Sequence, residues 1–262
     1  MSLPISPIER VETPTGHWYR NKETGQQVPG VTTILKVLPA QKLDDWKIRK
    51  AVELTLKGET GWKKKPPDEN LITWLMSAGE REANVKAKIG TAAHNFAEDH
   101  VLGNKPDKEA LNKKEQYHVD CFLNFVRDHE PKPVLVEKVV THIDEKTGIP
   151  LYCGTIDLVA DLKDGYRWLV DYKASAGSAK AQYALQGAAY KYATHWIDDD
   201  GLLQPMPSTE RSAVVLLNGG DPDKGYRMYR MDDSPVVFSV FKNLLRIYNF
   251  SKIEDRVILG QI

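Results

Sequence analysis

Three charged residues stand where a β-sheet offers charge little solvation. The stretch CGTIDLVADLKDGYRWLVDYKASAG, 153 to 177, reads as a buried hairpin, with Asp157 in its first strand and Asp171 and Lys173 at the end of its second. Buried charge is costly unless it is paired or holds a metal. The turn decides whether the three share a face. A two-residue Asp164-Gly165 loop sets Asp157 opposite Tyr172, away from Asp171. A three-residue Lys163-Asp164-Gly165 loop, with Gly165 left-handed, sets Asp157 opposite Asp171. Lys173 then falls on the same face, because side chains alternate along a strand. Glycine at the third loop position favours this second register.

Two carboxylates so placed repel each other, and without a partner one keeps its proton near neutral pH. A divalent cation removes the conflict, and hard Mg²⁺ or Mn²⁺ prefers such oxygens. A lysine beside the ion orients water and steadies charge on a phosphate oxygen. Carboxylates, metal and lysine together suit hydrolysis of a phosphodiester. The simpler alternative is surface ion pairing, Asp171 with Lys173 or Asp161 with Arg167.

The elements that must hold these residues follow from patterning. HWYRNKETGQQVPGVTTIL, 17 to 35, reads as a short hairpin turning at Thr24-Gly25, then an entry into a helix. Apolar residues at helical spacing predict a helix over 42–56, helical structure from Leu71 to Leu102, and another helix over about 109–129. GWKKKPPDEN, 61 to 70, breaks the pattern with a basic triplet and two prolines. From Pro131 the chain turns β-rich. Strands are expected over 133–143, 150–162 and 166–173, a helix over 178–196, two strands around GGDPDKG, and a last helix from Pro235 capped by Asp233 or Ser234. The order predicts an α+β fold with an α/β core. It packs as one unit over 1–262, with a mainly helical region over 1–130 and the core over 131–262.

Composition narrows the function. Lys plus Arg equals Asp plus Glu at 36 each, so the chain is no polycation and must grip nucleic acid, if at all, through a local basic groove. Cys121 and Cys153 are the only cysteines, which argues against a disulfide framework, a Cys-rich zinc site and an iron–sulfur cluster. No apolar run approaches the roughly 20 residues of a membrane span. MSLPISPIER lacks the apolar stretch of a secretory signal, so no membrane contact and a cytoplasmic location, in a bacterial or phage-infected cell, are expected.

Gly154-x-x-Asp157, Asp171-Tyr172-Lys173 and Gln186-x-x-x-Tyr190 follow one another on two strands and a helix. Upstream lies Gly90-Thr91-Ala92-Ala93-His94, and near the start Val31-Thr32-Thr33-Ile34-Leu35. In this order the set resembles the PD-(D/E)XK nuclease superfamily, most closely its RecB-type exonuclease branch of phage and mitochondrial enzymes, over roughly 85–195. The resemblance implies a restriction-endonuclease-like mixed sheet flanked by helices, and a Mg²⁺- or Mn²⁺-dependent DNA exonuclease of recombination, repair or phage replication. It implies that Asp157 and Asp171 ligate one or two ions with the Tyr172 carbonyl. His94 would complete the site, and Lys173 would be the catalytic lysine. The alternative for His94 is a contact with Glu98, one helical turn on.

Glu137 matches an acidic position on the first core strand, as a further ligand or as a solvent-facing glutamate. Gln186 and Tyr190 share a helix face. The resemblance sets them beside the active site, against DNA backbone or lysine, with helix packing as the alternative. Lys63, Lys64 and Lys65 beside Trp62 are candidates for gripping a strand. Ser175 and Lys180 are candidates for a phosphate near the following helix. The expected partner is single- or double-stranded DNA, with a homo-oligomer or a recombination protein as further possibilities. A site-specific endonuclease, or a DNA-binding module without catalysis, is the competing reading.

Overall fold

The structure is a computed structural model that describes residues 4–13, 16–39, 41–58, 62–174, 180–218, 221 and 223–252. Its central hairpin turns as the glycine predicts. Gly165 is left-handed at φ 82°. The Leu162 and Gly165 amides donate to Tyr166 and Leu162 at 3.0 and 2.9 Å, closing a three-residue loop. Asp164 fastens that loop by accepting from the Trp168 indole at 3.1 Å. The hairpin joins β5 (Pro150–Asp161) to β6 (Arg167–Lys173). Its pairing runs from Asp161 with Arg167 to Leu158 with Val170, the register of the three-residue loop, and ends just before the expected Asp157–Asp171 pair. Beyond it the Tyr172 amide donates to the Asp157 carboxylate instead.

Around this hairpin lies a seven-stranded mixed sheet in the order β10-β9-β6-β5-β4-β7-β8. Its other strands are β4 (Lys132–Ile143), β7 (His195–Ile197), β8 (Leu203–Pro205), β9 (Arg211–Leu216) and β10 (Arg227–Arg230). Strand β6 pairs antiparallel with β5 and parallel with β9, which buries it centrally. Seven α-helices are found among the described residues. They are α1 (Val31–Leu35), α2 (Gln41–Leu56), α3 (Leu71–Met76), α4 (Ala78–Val101), α5 (Lys113–His129), α6 (Ala181–Lys191) and α7 (Pro235–Phe250). The fold is α+β with an α/β core, as expected.

Two helical layers cover the sheet. Val119, Phe122 and Phe125 recur at helical spacing on α5 and, with Ala93, Phe96 and Ala97 of α4, bury Leu158, Val170 and Tyr172. On the opposite face α1, α6 and α7 bury Ile156, Val159 and Leu169. Pro235 stands at the start of α7 with Ser234 as its cap. Helix α5 begins at a capping box of Asn112 and Glu115, later than the pattern suggests, and Lys108–Ala110 is a single 3-10 turn.

Several expectations are corrected. The helix expected over 178–196 spans Ala181–Lys191, and His195–Ile197 is a strand. There Thr141 and Val140 of β4 pair with His195 and Trp196, so sheet hydrogen bonds override the apolar periodicity. The helical run from Leu71 divides at Ser77 into α3 and α4. The amino-terminal stretch also carries a strand that patterning missed. Strand β1 (Ile8–Thr13) pairs with β2 (Gly16–Asn21), which pairs with β3 (Gln27–Val28), in a small separate sheet. No helix among the described residues is long and apolar enough to cross a membrane.

One irregularity bears on the site. Strand alternation should place Ile156 and Leu158 on one face, yet they pack into opposite layers. The partner strand switches at the same level, where Glu137 sits between the Val136–Leu158 and Lys138–Ile156 pairs. Glu137 is left-handed at φ 47°. Such a conformation costs a non-glycine residue about 1–2 kcal/mol, and held strain of this kind gathers at functional positions.

Candidate active site

Tyr172 is the anchor around which the site assembles. Its ring is buried edge-on against Phe122 and Phe125, at centroid distances of 5.5 and 5.9 Å. That packing fixes its peptide groups on β6. The Tyr172 amide donates to Asp157 Oδ2 at 2.6 Å, across the hairpin. The Tyr172 carbonyl accepts from His94 Nε2 at 3.1 Å, reaching in from α4. His94 Nδ1 then lies 3.7 Å from Asp157 and 4.0 Å from Glu137. The histidine therefore turns into the site, rather than toward Glu98. One ligand atom each from His94, Glu137 and Asp157 lies within 4.8 Å of the others.

Asp171 and Lys173 form the second half. Asp171 is 4% exposed. Lys173 Nζ lies 2.8 Å from Asp171 Oδ1 and 2.7 Å from Oδ2. Only the first contact has hydrogen-bond geometry, and Oδ2 is left buried without a hydrogen-bond partner. The Asp171–Lys173 pair named as the simple alternative thus exists, but inside the site. The Asp161–Arg167 pair exists too, at 2.7 Å on the hairpin's far end.

The electrostatics follow from this crowding. Burial pushes the Asp171 carboxyl up to about 6, against the pull of Lys173 and with Asp157 adding to it. Burial likewise raises Asp157, opposed by His94 and Lys173. Burial would lower His94, but Asp157 and Glu137 overcome it and push the ring up to about 9. Lys173 is raised as Asp171 and Asp157 outweigh its own burial. The site is an excess of carboxylates held by a protonated imidazole and an ammonium. A His-plus-two-carboxylate cluster, with a further buried carboxylate oxygen that makes no hydrogen bond, is what a hard divalent cation fits. The tightest ligand-like set is His94, Glu137 and Asp157; Asp171 stands beside it, engaged by Lys173.

A cavity of about 550 Å³ opens over these groups. Gln186 and Tyr190 of α6 line it, and Gln186 Nε2 donates to the Tyr190 hydroxyl at 3.1 Å. Both are buried, so the helix-packing alternative and the site location hold together. Tyr190 lies across Gly154, where an added Cβ would fall 2.4 Å from its ring. Gly90 and Thr91 line the same cavity beside His94.

The basic candidates are elsewhere. Lys63 and Lys64 are exposed on the turn before α3. The Lys65 ammonium is spent on its own loop, donating to the carbonyls of Pro66, Pro67 and Glu69 at 2.6, 3.3 and 2.7 Å. Lys180 occupies the N-cap position of α6. None of these lysines lines the cavity. Ser175 lies outside the described residues.

Sequence reasoning missed one wall altogether. Arg10, His17 and Tyr19 of the small amino-terminal sheet, with Thr155 of β5, border the cavity. The alternation of His17 and Tyr19 on one strand face was the available signal. No protein-family model matches the sequence, and no curated protein matches it, so its own residues and their geometry carry the reading of this site.

Proposed function

We propose that this chain is a divalent-metal-dependent deoxyribonuclease of the PD-(D/E)XK kind, acting as an exonuclease in the cytoplasm on DNA undergoing recombination or repair. The observation that carries the reading is the buried Asp171 carboxylate, ion-paired with Lys173, in one cavity with the His94, Glu137 and Asp157 cluster. His94, Glu137, Asp157 and Asp171 would hold Mg²⁺ or Mn²⁺, with the Tyr172 carbonyl as a further oxygen. The ion supplies Lewis acidity toward a phosphate oxygen.

The chain's own groups do the rest. Lys173 is a compact cation with three donors, of which Asp171 Oδ1 takes one. Its remaining protons can orient a water for attack or steady the charge growing on the phosphate. The Tyr172 amide fixes the Asp157 carboxylate, so no rotamer is lost when phosphate arrives. Gln186 and Tyr190 form the far wall, their mutual bond holding both polar tips at the cavity edge. The order Gly154, Asp157, Asp171, Lys173, Gln186 and Tyr190 resembles the RecB-type branch and adds to the support.

The test is digestion of linear and covalently closed circular DNA in Mg²⁺ or Mn²⁺. Linear DNA should be degraded and circles spared. Asp171→Ala and Lys173→Ala should abolish degradation. Cleavage of circles would turn the assignment to an endonuclease, and full activity in either variant would remove it.

A further inference from the structure

We infer that Thr155 donates its hydroxyl proton to the substrate phosphate, and that Arg10, His17 and Tyr19 are positioning residues that fix the direction of that hydroxyl. This rests on the nuclease reading. All four line the cavity, and they are joined end to end. Arg10 Nη2 lies 3.3 Å from His17 Nδ1, His17 Nε2 lies 3.0 Å from the Tyr19 hydroxyl, and that hydroxyl lies 2.9 Å from Thr155 Oγ1.

The direction of this relay is determined at its outer end. A guanidinium only donates, so His17 Nδ1 must accept and Nε2 must carry the proton. Burial and the Arg10 charge both hold the His17 pKa below its usual value, in keeping with that neutral tautomer. His17 Nε2 therefore donates to Tyr19. Tyr19 is only 2% exposed, and its single hydroxyl hydrogen has Thr155 Oγ1 as its acceptor. The reverse direction would leave a buried tyrosine hydrogen without a partner, a costly state. Thr155 is thus an acceptor toward Tyr19, and its own hydrogen has no acceptor among the described residues.

That hydrogen belongs to a residue two positions before Asp157 on β5. It stands over a cavity that the Asp157 and Glu137 carboxylates also line, and these repel a phosphate. The cavity's cationic donors are already partly engaged, Lys173 by Asp171 and Arg10 by Glu12 and His17. The Thr155 hydrogen adds a neutral donor that no protein group takes up among the described residues. Hydroxyl donors to charged oxygens make short, strong hydrogen bonds.

Steady-state hydrolysis of linear DNA in Mn²⁺ tests this, with Mn²⁺ affinity measured by calorimetry on each variant. Thr155→Val should lower kcat/KM by roughly tenfold or more, the scale of a lost bond to a charged group. Thr155→Ser should stay close to wild type. Tyr19→Phe frees the threonine to reorient and should fall between the two. Mn²⁺ affinity should be unchanged in all three. Wild-type kcat/KM in Thr155→Val, or equal losses in Val and Ser variants, overturns the inference while leaving the nuclease reading intact. Should Thr155→Val fail to fold, an unaffected Tyr19→Phe overturns it instead. A wild-type protein that binds Mn²⁺ and cleaves no DNA ends both.

Discussion

The edge of the Tyr190 ring comes so close to Gly154 that a methyl group there would meet Cε1 at 2.4 Å. The glycine is required by this close approach and not by its backbone angles. Gly154→Ala is expected to cost about 1–3 kcal/mol, the usual penalty of overpacking, and to push Tyr190 away from Gln186. In Tyr190→Ala the ring is gone, and the same Gly154→Ala change should cost far less. A double-mutant cycle by urea denaturation measures the coupling; strictly additive costs would refute the contact.

Glu137 offers a separation of stability from function. Its left-handed backbone suits asparagine and opposes β-branched residues. Glu137→Asn should match or exceed wild-type stability, while Glu137→Val should lose more than about 1 kcal/mol. Both should bind Mn²⁺ more weakly by calorimetry, because both lose a carboxylate of the His94–Asp157 cluster. Undiminished Mn²⁺ affinity in Glu137→Asn would take that residue out of the site.

Burial raises Asp171 from 3.8 to about 6. A raised carboxyl contributes stability below its unfolded pKa and loses it as pH climbs through the folded value. His94, raised from 6.5 to about 9, likewise loses its contribution as pH rises through that higher value. In chelator, both terms therefore fall away on going from acid to alkaline solution. A bound cation opposes the loss and competes with protons for the same atoms. The Tm difference between Mn²⁺ and chelator samples should be several degrees at pH 7.5 and shrink at pH 5. A difference that does not change with pH would contradict this account.

Lys173 and Asp157 should fail differently. Asp157→Ala removes a member of the ligand cluster and is expected to abolish Mn²⁺ binding in calorimetry. Lys173→Met removes only the ammonium. It should retain binding but lose hydrolysis by at least about a hundredfold, the scale of a lost catalytic proton-transfer or orienting group. Loss of binding in both would reduce Lys173 to a structural counter-ion of Asp171.

The site's centre was legible because it is built from local rules. A left-handed glycine sets the hairpin loop, the loop sets the register as far as Leu158 and Val170, and Asp157 and Asp171 just beyond that pair line one cavity. His94 was legible only through the spacing Gly90-x-x-x-His94 taken with those strands. What was hidden depends on contacts distant in sequence. Strand β1 is too rich in charge to read as a strand and exists by pairing with β2. His195 and Trp196 continue a helical pattern but are taken up by β4. The Glu137 backbone follows no residue propensity, since nothing local calls for a left-handed glutamate in mid-strand. The Arg10 to Thr155 relay spans more than a hundred residues of chain.

The three-residue loop at Lys163–Gly165 marks where the β5–β6 pairing begins. A slip of β6 by one position against β5 would turn Asp171 and Lys173 toward the α4–α5 layer, exchanging them for Tyr172. Pairing to β9 along the other edge of β6 resists such a slip. Over evolutionary time this hairpin tip can therefore change length only where the extra residues stay inside the loop and leave both ladders in place.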